Sequence, residues 1–264
     1  LRSDGQPIHG IEEVEGLLVR PRRADPLLAT ERVANVIKTG VLVHLSNLIL
    51  QRNHLDDTRM TVFARAADEK PLVNLHVLHL YRNDIGDEGI ESLSKPLSTG
   101  ALGHLTTLCL QKNRIGDRGM AALAGALGSD ALVNLTKLEL GSNQIGDPGL
   151  IALSGALPSG ALVNLRELDL CFNQIGDDGL KSLSVALSVA PSTGALGNLR
   201  GLFLGGNKIG DGGIKSLSAA LSNGAVGNLV ELYLCGNKIG DEGIKSLADA
   251  LSRGALHNLS LIHI

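Results

Sequence analysis

Residues 165–196 read LRELDLCFNQIGDDGLKSLSVALSVAPSTGAL, and most of the chain consists of variants of this stretch. The shared frame is LxxLxLxxNxIGDxGxxxLxxxL. Its asparagine recurs at Asn53, in a weaker copy, and at Asn83, Asn113, Asn143, Asn173, Asn207 and Asn237. Successive asparagines lie 30 residues apart, except for 34 residues between Asn173 and Asn207. A fixed period of this length predicts a solenoid of stacked repeats.

The first part of each repeat has the alternation of a strand. Leu168 and Leu170 point to one face and Glu167 and Asp169 to the other, a period of two residues that predicts one buried face. A turn containing the recurrent asparagine follows. Seven copies at one register predict that this amide satisfies backbone groups buried in the turn.

The second part of each repeat has the apolar spacing of a helix. Leu180, Leu183 and Leu187 form a stripe at three- and four-residue intervals. Asp177 precedes the stripe and is predicted to cap its own helix, where its carboxylate suits the positive helix end. Glycines close the units and are predicted to adopt left-handed or tightly turned conformations: Gly100, Gly160, Gly194, Gly224 and Gly254.

One strand and one helix cannot bury their apolar side chains alone, so neighbouring repeats must stack. Stacked strands lie about 4.8 Å apart, whereas packed helices need about 8–10 Å. The helical side must therefore be the longer one. The sequence predicts a curved α/β solenoid with a parallel sheet on the concave face and helices on the convex face.

The motif LxxLxLxxNxIGDxG resembles that of leucine-rich repeats over residues 42–264. The helix after each strand resembles the ribonuclease-inhibitor-like subclass, which includes ribonuclease inhibitor, the GTPase activator of Ran and the repeat regions of NOD-like receptors. The resemblance implies a right-handed horseshoe in which the repeated asparagines form a ladder. It implies protein binding without naming a partner, because the family binds many unrelated proteins.

The chain divides into a lead-in and a solenoid. Residues 1–44 are interpreted as an irregular segment and a degenerate capping repeat, with a strand within 16–20 and a helix over 27–38. Residues 45–264 are interpreted as seven repeats plus the start of an eighth strand. The four additional residues near 189–192 predict a longer loop between a helix and the next strand. The chain starts at Leu1 and could be a fragment.

Composition excludes several classes of partner. A formal net charge of −3 argues against nucleic acid, and the absence of an apolar run of 18 residues argues against a membrane span.

Cys109, Cys171 and Cys235 lack a metal-ligand spacing. Cys171 and Cys235 fall two repeats apart, too far for a disulfide. Free thiols favour the cytoplasm, with the nucleus as an alternative. We expect a monomer unless the apolar C-terminal edge pairs.

No motif for catalysis, a metal or a cofactor is found, and the stacked aspartates fit helix caps better than calcium sites. The candidate site is instead the concave face, where four of the five aromatic residues fall. Basic residues precede acidic ones along it, and aromatic residues flanked by charge are typical of binding hot spots. The candidate partner-binding residues are Tyr81, Arg82, Lys112, Arg114, Glu139, Glu167, Asp169, Phe172, Phe203, Glu231 and Tyr233. Chance drift at variable strand positions is the alternative.

Three functions are compatible with these patterns. The first is a non-catalytic scaffold or sensor arm that binds a protein on its concave face. The second is regulation of a small GTPase, by resemblance to the Ran activator, although the acidic tail of that group has no counterpart here. The third is a structural repeat fragment without a ligand. The sequence favours the first.

Overall fold

The computed structural model describes residues 16–18, 33–40, 42, 44–157, 162–193 and 196–264. Across these residues, parallel strands form one sheet in chain order. The strands are β1 (Gly16–Leu18), β2 (Asn47–Ile49), β3 (Val77–His79), β4 (Thr107–Cys109), β5 (Lys137–Glu139), β6 (Glu167–Asp169), β7 (Gly201–Phe203), β8 (Glu231–Tyr233) and β9 (Leu261–His263). The predicted α/β solenoid with a parallel sheet is confirmed.

A helix follows almost every strand and packs against the helices of the preceding and following repeats. The helices are α1 (33–38), α2 (Asp57–Glu69), α3 (Asp87–Ser98), α4 (Asp117–Leu127), α5 (Asp147–Ala156), α6 (Asp177–Thr193), α7 (Asp211–Ser222) and α8 (Asp241–Ser252), with a short 3-10 helix at Asp130–Leu132. The predicted strand near residues 16–20 and the predicted helix over 27–38 are described only in part, as β1 and α1.

The core lies between the sheet and the helices. The central residue of strands β2–β8, such as Leu138 or Leu168, is buried, whereas the residues on either side of it remain partly accessible in most of these strands. The helices contribute Leu150, Leu180 and their equivalents to the same core. Phe63 of α2 is fully buried and is the one aromatic residue that sequence alternation does not place on the concave face.

The recurrent asparagines connect neighbouring repeats. Asn143 donates from Nδ2 to the carbonyl oxygens of Leu110, at 3.0 Å, and Leu140, at 2.9 Å. Its Oδ1 accepts a hydrogen bond from the backbone N–H of Ile115 at 3.1 Å. One amide thus satisfies backbone groups of two successive turns, and Asn83, Asn113, Asn173, Asn207 and Asn237 make equivalent bonds.

The prediction that Asp177 and the equivalent aspartates cap their own helices is wrong. Helix α5 begins at Asp147, its N-cap is Gly146, and no side chain of its own repeat caps it. The backbone N–H groups of Gly146 and Gly149 instead donate to Oδ1 of Asp117, at 2.7 and 3.0 Å. Five further aspartates likewise accept from the backbone N–H of the first motif glycine in the following repeat: Asp57, Asp87, Asp147, Asp177 and Asp211.

This geometry explains the two glycines of the recurrent motif GDxG. A Cβ at the second glycine would lie 2.6–2.8 Å from Oδ1 of the preceding repeat's aspartate, closer than the two atoms can approach. Only a residue without a side chain leaves room for the inter-repeat cap. The sequence shows the motif, but not that its aspartate and glycines act across a repeat boundary.

The predicted loop near residues 189–192 is also wrong. Helix α6 continues to Thr193 and has 17 residues, against 10–13 in α2–α5, α7 and α8. Four residues correspond to about one helical turn. The insertion therefore lengthens the helix by a turn, while Leu168 and Leu202 of the flanking strands remain paired.

The predicted left-handed glycines are confirmed at Gly100, Gly224 and Gly254, whose φ angles are +81°, +81° and +87°. Gly160 and Gly194 lie outside the described residues. A side chain would strain the backbone at the three described positions.

Candidate functional site: the concave face

Strand register organises the accessible side of the sheet into columns. The third residues of successive strands pair with one another. This central column reads Ile49, His79, Cys109, Glu139, Asp169, Phe203, Tyr233 and His263. It therefore changes from neutral residues to carboxylates and then to aromatic rings. The side chains that alternation assigns to the concave face thus become close neighbours.

A charged cluster occupies the middle of the face. Nζ of Lys137 lies 3.0 Å from Oε1 of Glu139 and 3.0 Å from Oε2 of Glu167. Burial opposes the charge on Lys137, but hydrogen bonds to Glu167 and Glu139 outweigh it and raise its pKa. One ammonium group is therefore shared by two carboxylates on adjacent strands.

The two half-buried carboxylates of the central column, Glu139 and Asp169, differ in pKa. Burial opposes ionisation of Glu139, but hydrogen bonds from the Cys109 thiol, Lys137 and the Gln111 amide outweigh it, so its pKa is lowered. Burial raises the pKa of Asp169, assisted by the charge of Glu139, despite a hydrogen bond from the Cys171 N–H to Oδ1 at 2.9 Å. Asp169 is thus a carboxylate whose charge is poorly compensated.

The basic side of the face is centred on Tyr81. Nζ of Lys112 lies 5.5 Å from the centre of the Tyr81 ring, within the range of a cation–π contact. A hydrogen bond involving Lys112, followed by a smaller contribution from Arg52, lowers the pKa of the Tyr81 hydroxyl. These residues form a cationic rim beside the acidic centre.

Aromatic rings form the opposite side of the face. The ring centres of Phe203 and Tyr233 lie 5.1 Å apart, and those of Tyr233 and His263 lie 4.4 Å apart. Phe172 is 67% exposed, the highest value among the exposed large apolar residues described. Its left-handed backbone, with φ +54°, turns it out of simple strand alternation. This row presents apolar surface to solvent.

Glycines of one repeat make room for these rings. A Cβ at Gly201 would lie 2.6 Å from Cε2 of Phe203, and one at Gly206 would lie 2.5 Å from Cδ1 of Phe172. Both rings therefore occupy space that a side chain would otherwise fill. Gly206, with φ +69°, also has a backbone conformation that favours glycine.

A hollow of about 500 Å³ connects the three regions. Eight of the predicted residues line it: Tyr81, Lys112, Glu139, Glu167, Asp169, Phe172, Phe203 and Tyr233. Arg82, Arg114 and Glu231 do not line it, and Arg114 instead pairs with Asp84 at 2.6 Å. The geometry thus brings most of the predicted set together around one hollow.

Other residues of the hollow are absent from the predicted set. Lys137 is a basic residue among acidic ones. A search for stretches of like charge along the sequence therefore does not identify it. Gln111 contributes Oε1, which is buried and has no hydrogen-bond partner among the described residues. Ser142 and Gly141 also line the hollow. Strand alternation identifies Gln111, Lys137 and Gly141 as accessible positions, but not their contacts.

The cysteines occupy separate environments. Cys109 is buried, Cys171 is half-buried and Cys235 is exposed, and all are free thiols. Burial raises the pKa of Cys109, and it raises that of Cys171 to about 12 with assistance from Asp169. Both thiols are therefore protonated at neutral pH and are poor nucleophiles.

A second groove, of about 480 Å³, lies where the strands begin. Its polar lining comprises His76, His104, Thr106, Asn134, Thr136, Asn164, Arg166 and Asn198. The asparagines of this groove donate to carbonyl oxygens of the preceding repeat, as Asn164 does to Val133 at 2.8 Å. This second row of asparagines, Asn134, Asn164 and Asn198, therefore has a structural role that the sequence does not reveal.

The described residues contain no cluster of three or more histidine, cysteine or carboxylate side chains suited to a metal ion. None of the described helices combines the length and apolar character that crossing a lipid bilayer requires.

A family model described as Leucine Rich repeat matches residues 72–94, 103–124, 131–154, 161–184, 198–218 and 228–248. These segments make up about half of the chain and contain most of the strand–turn–helix units described above. No curated protein matches the sequence.

Two of the solved structures that are similar to this chain come from Listeria monocytogenes. An internalin (inlF) matches with 23% identity and a TM-score of 0.51, over 85% of this chain and 56% of its own. An internalin C2 (inlC2) matches with 25% identity and a TM-score of 0.48, over 87% of this chain and 90% of its own. This chain thus corresponds to just over half the length of the first. The similarity to the first supports the repeat fold alone.

Proposed function

This chain belongs to the leucine-rich repeat family, and we propose that it is a non-catalytic interaction module that binds a protein partner on its concave face. Proteins with this fold generally bind other proteins. The proposal extends that property to one surface of this chain. A scaffold or sensor arm is the corresponding biological role.

The observation that carries the proposal is the composition of the 500 Å³ hollow. It combines accessible aromatic rings with charged side chains of both signs on a rigid sheet. Aromatic anchors beside charged groups are typical of binding hot spots. Phe172, at 67% exposure, would gain about 1–2 kcal/mol of hydrophobic stabilisation if a partner covered it completely.

Several finer assignments accompany this proposal. The repeats are proposed to be of the ribonuclease-inhibitor-like subclass, because helices of 10–17 residues follow strands β2–β8. Residues 1–44 are proposed to cap the solenoid formed by residues 45–264. Free thiols favour a reducing compartment, so we place the interaction in the cytoplasm or nucleus. A single copy of the chain is proposed to bind the partner.

The test is affinity capture with the wild-type chain and a concave-face variant, Phe203→Ala/Tyr233→Ala/Asp169→Lys. We expect the variant to lose proteins that the wild type retains, because it removes two aromatic anchors and reverses a charge. Captured proteins are identified by mass spectrometry, and binding is then measured with the purified partner. Circular dichroism establishes that the variant is folded.

A matched variant on the helical side is Ile151→Ala/Val185→Ala/Asp249→Lys, which removes two exposed apolar side chains and reverses one charge. It should retain the partner. If the helical-side variant loses the partner and the concave-face variant keeps it, binding on the concave face is wrong. Equal retention by both variants would also reject it.

A further inference from the structure

We propose that the concave face around Phe203 binds an arginine side chain presented by the partner protein. This assignment rests on the proposed function and specifies the chemistry of one contact within it. It follows from the position of the Phe203 ring among carboxylates that outnumber the cations paired with them.

The ring of Phe203 lies within a row of acidic positions. Gly201 pairs in register with Glu167 on one side and with Glu231 on the other. The Phe203 ring occupies the space above Gly201, and the Cβ position of that glycine lies only 3.7 Å from Cγ of Glu167. Glu167 and Glu231 thus lie two strand spacings apart, with the Phe203 ring between them.

Asp169 adds a third carboxylate on the adjacent strand, directly paired with Phe203. No described residue forms an ion pair with Asp169 or Glu231. The ammonium group of Lys137 acts electrostatically on Asp169, but it is already shared by Glu139 and Glu167. The region around the ring therefore carries negative charge that the chain does not neutralise, and a cation from outside would complement it.

Arginine fits this arrangement better than lysine. A guanidinium group is planar, packs against aromatic rings and donates several hydrogen bonds in one plane. It can contact Phe203 while directing N–H groups to Asp169 or Glu167, so that cation–π attraction and charge-assisted hydrogen bonds act together. An ammonium group supplies the charge without the flat contact.

The experiment uses three acetylated and amidated tripeptides, Ala-Arg-Ala, Ala-Lys-Ala and Ala-citrulline-Ala, titrated into the ¹⁵N-labelled chain. Citrulline preserves the size and planarity of arginine but carries no charge. Chemical-shift changes in two-dimensional NMR spectra give both the dissociation constant and the affected residues. We expect arginine to bind about tenfold more tightly than citrulline, with shifts concentrated at residues 167–172 and 201–203.

Variants distinguish this site from general attraction of a cation to an acidic protein. Asp169→Asn should weaken arginine binding by about tenfold, and Phe203→Leu should weaken it by several-fold while keeping an apolar side chain. Asp249→Asn removes the same charge from exposed helix α8 and should leave binding unchanged. The assignment is wrong if citrulline binds as tightly as arginine, or if Asp169→Asn and Asp249→Asn have equal effects.

The result is separable from the proposed function. If the wild-type chain captures a protein that the concave-face variant loses, but the arginine peptide does not bind, only the arginine assignment fails. If the helical-side variant is the one that loses the partner, the concave-face function fails, and the inference fails with it.

Discussion

At the scale of the residue, Asp169 is a carboxyl group whose ionisation is opposed by its surroundings. Burial raises its pKa, and the neighbouring charge of Glu139 acts in the same direction. Like charges on directly paired strand positions destabilise a sheet. A carboxylate in such a place costs stability, which supports the binding role proposed for this position.

Asp169→Asn should therefore stabilise the folded chain at neutral pH. Because the folded pKa lies above the unfolded value of 3.8, the unfolded state releases its proton first as pH rises. The penalty is absent below the unfolded pKa and complete above the folded pKa. Asparagine removes the penalty and retains an oxygen that can accept from the Cys171 N–H. Urea unfolding should show a gain of about 0.5–1 kcal/mol at pH 7 that disappears near pH 3.

The asparagine ladder gives a second prediction at this scale. Asn143→Ala removes three hydrogen bonds in a buried turn and should lower the free energy of unfolding by about 1–3 kcal/mol. Asn164→Ala is the matched control, since Asn164 is exposed and its side chain donates one hydrogen bond, to the carbonyl oxygen of Val133. Urea titration of both variants measures the difference, and equal midpoints would contradict a structural role for the buried row.

At the scale of the element, the inter-repeat cap shows where sequence reasoning stops. The spacing of the Leu, Ile and Asn positions predicts the strands, helices and buried turns, because each has a characteristic residue pattern within one repeat. The acceptor role of Asp117 is different. Every repeat has its aspartate at the same position. An aspartate that caps its own helix and one that caps the helix of the following repeat therefore give the same sequence pattern.

Asp117→Ala separates these two arrangements. The cap accepts from Gly146 and Gly149, so the change should expose the first turn of α5, in the following repeat, and cost about 0.5–2 kcal/mol. Amide hydrogen exchange should accelerate at Gly146 and Gly149 but not at Met120 of α4. Asp117→Asn keeps the oxygen and should largely restore protection. Acceleration confined to α4 would contradict the inter-repeat cap.

The candidate site shows the same limit. Alternation predicts which side chains lie on the concave face, since it requires only the period of a strand. It does not predict that Lys137 joins Glu139 to Glu167, because that contact depends on how two strands are aligned. Nor does it predict that the Phe203 ring lies over Gly201. Rotamers and cross-strand contacts follow from three-dimensional packing.

At the scale of the whole molecule, stability is distributed by contact between neighbours. Each long helix packs against the helices of adjacent repeats, and each strand pairs with the strands before and after it. In a chain of this kind, stability approximates a sum of repeat and interface contributions. A local change is therefore expected to weaken its own repeat and the two adjoining ones most strongly.

Leu138→Ala tests this expectation in the middle of the sheet. Leu138 is fully buried, and its truncation should cost about 2.7–5 kcal/mol, because a cavity forms between three repeats. Native-state hydrogen exchange should show the largest loss of protection in β4, β5 and β6, with a smaller loss at β8, three repeats away from β5. Val133→Ala, at an exposed position of the same repeat, should leave the pattern unchanged. A uniform loss from β2 to β8 would instead mean that the solenoid opens only as one unit, so that a partner bound near Phe203 would stabilise every repeat equally.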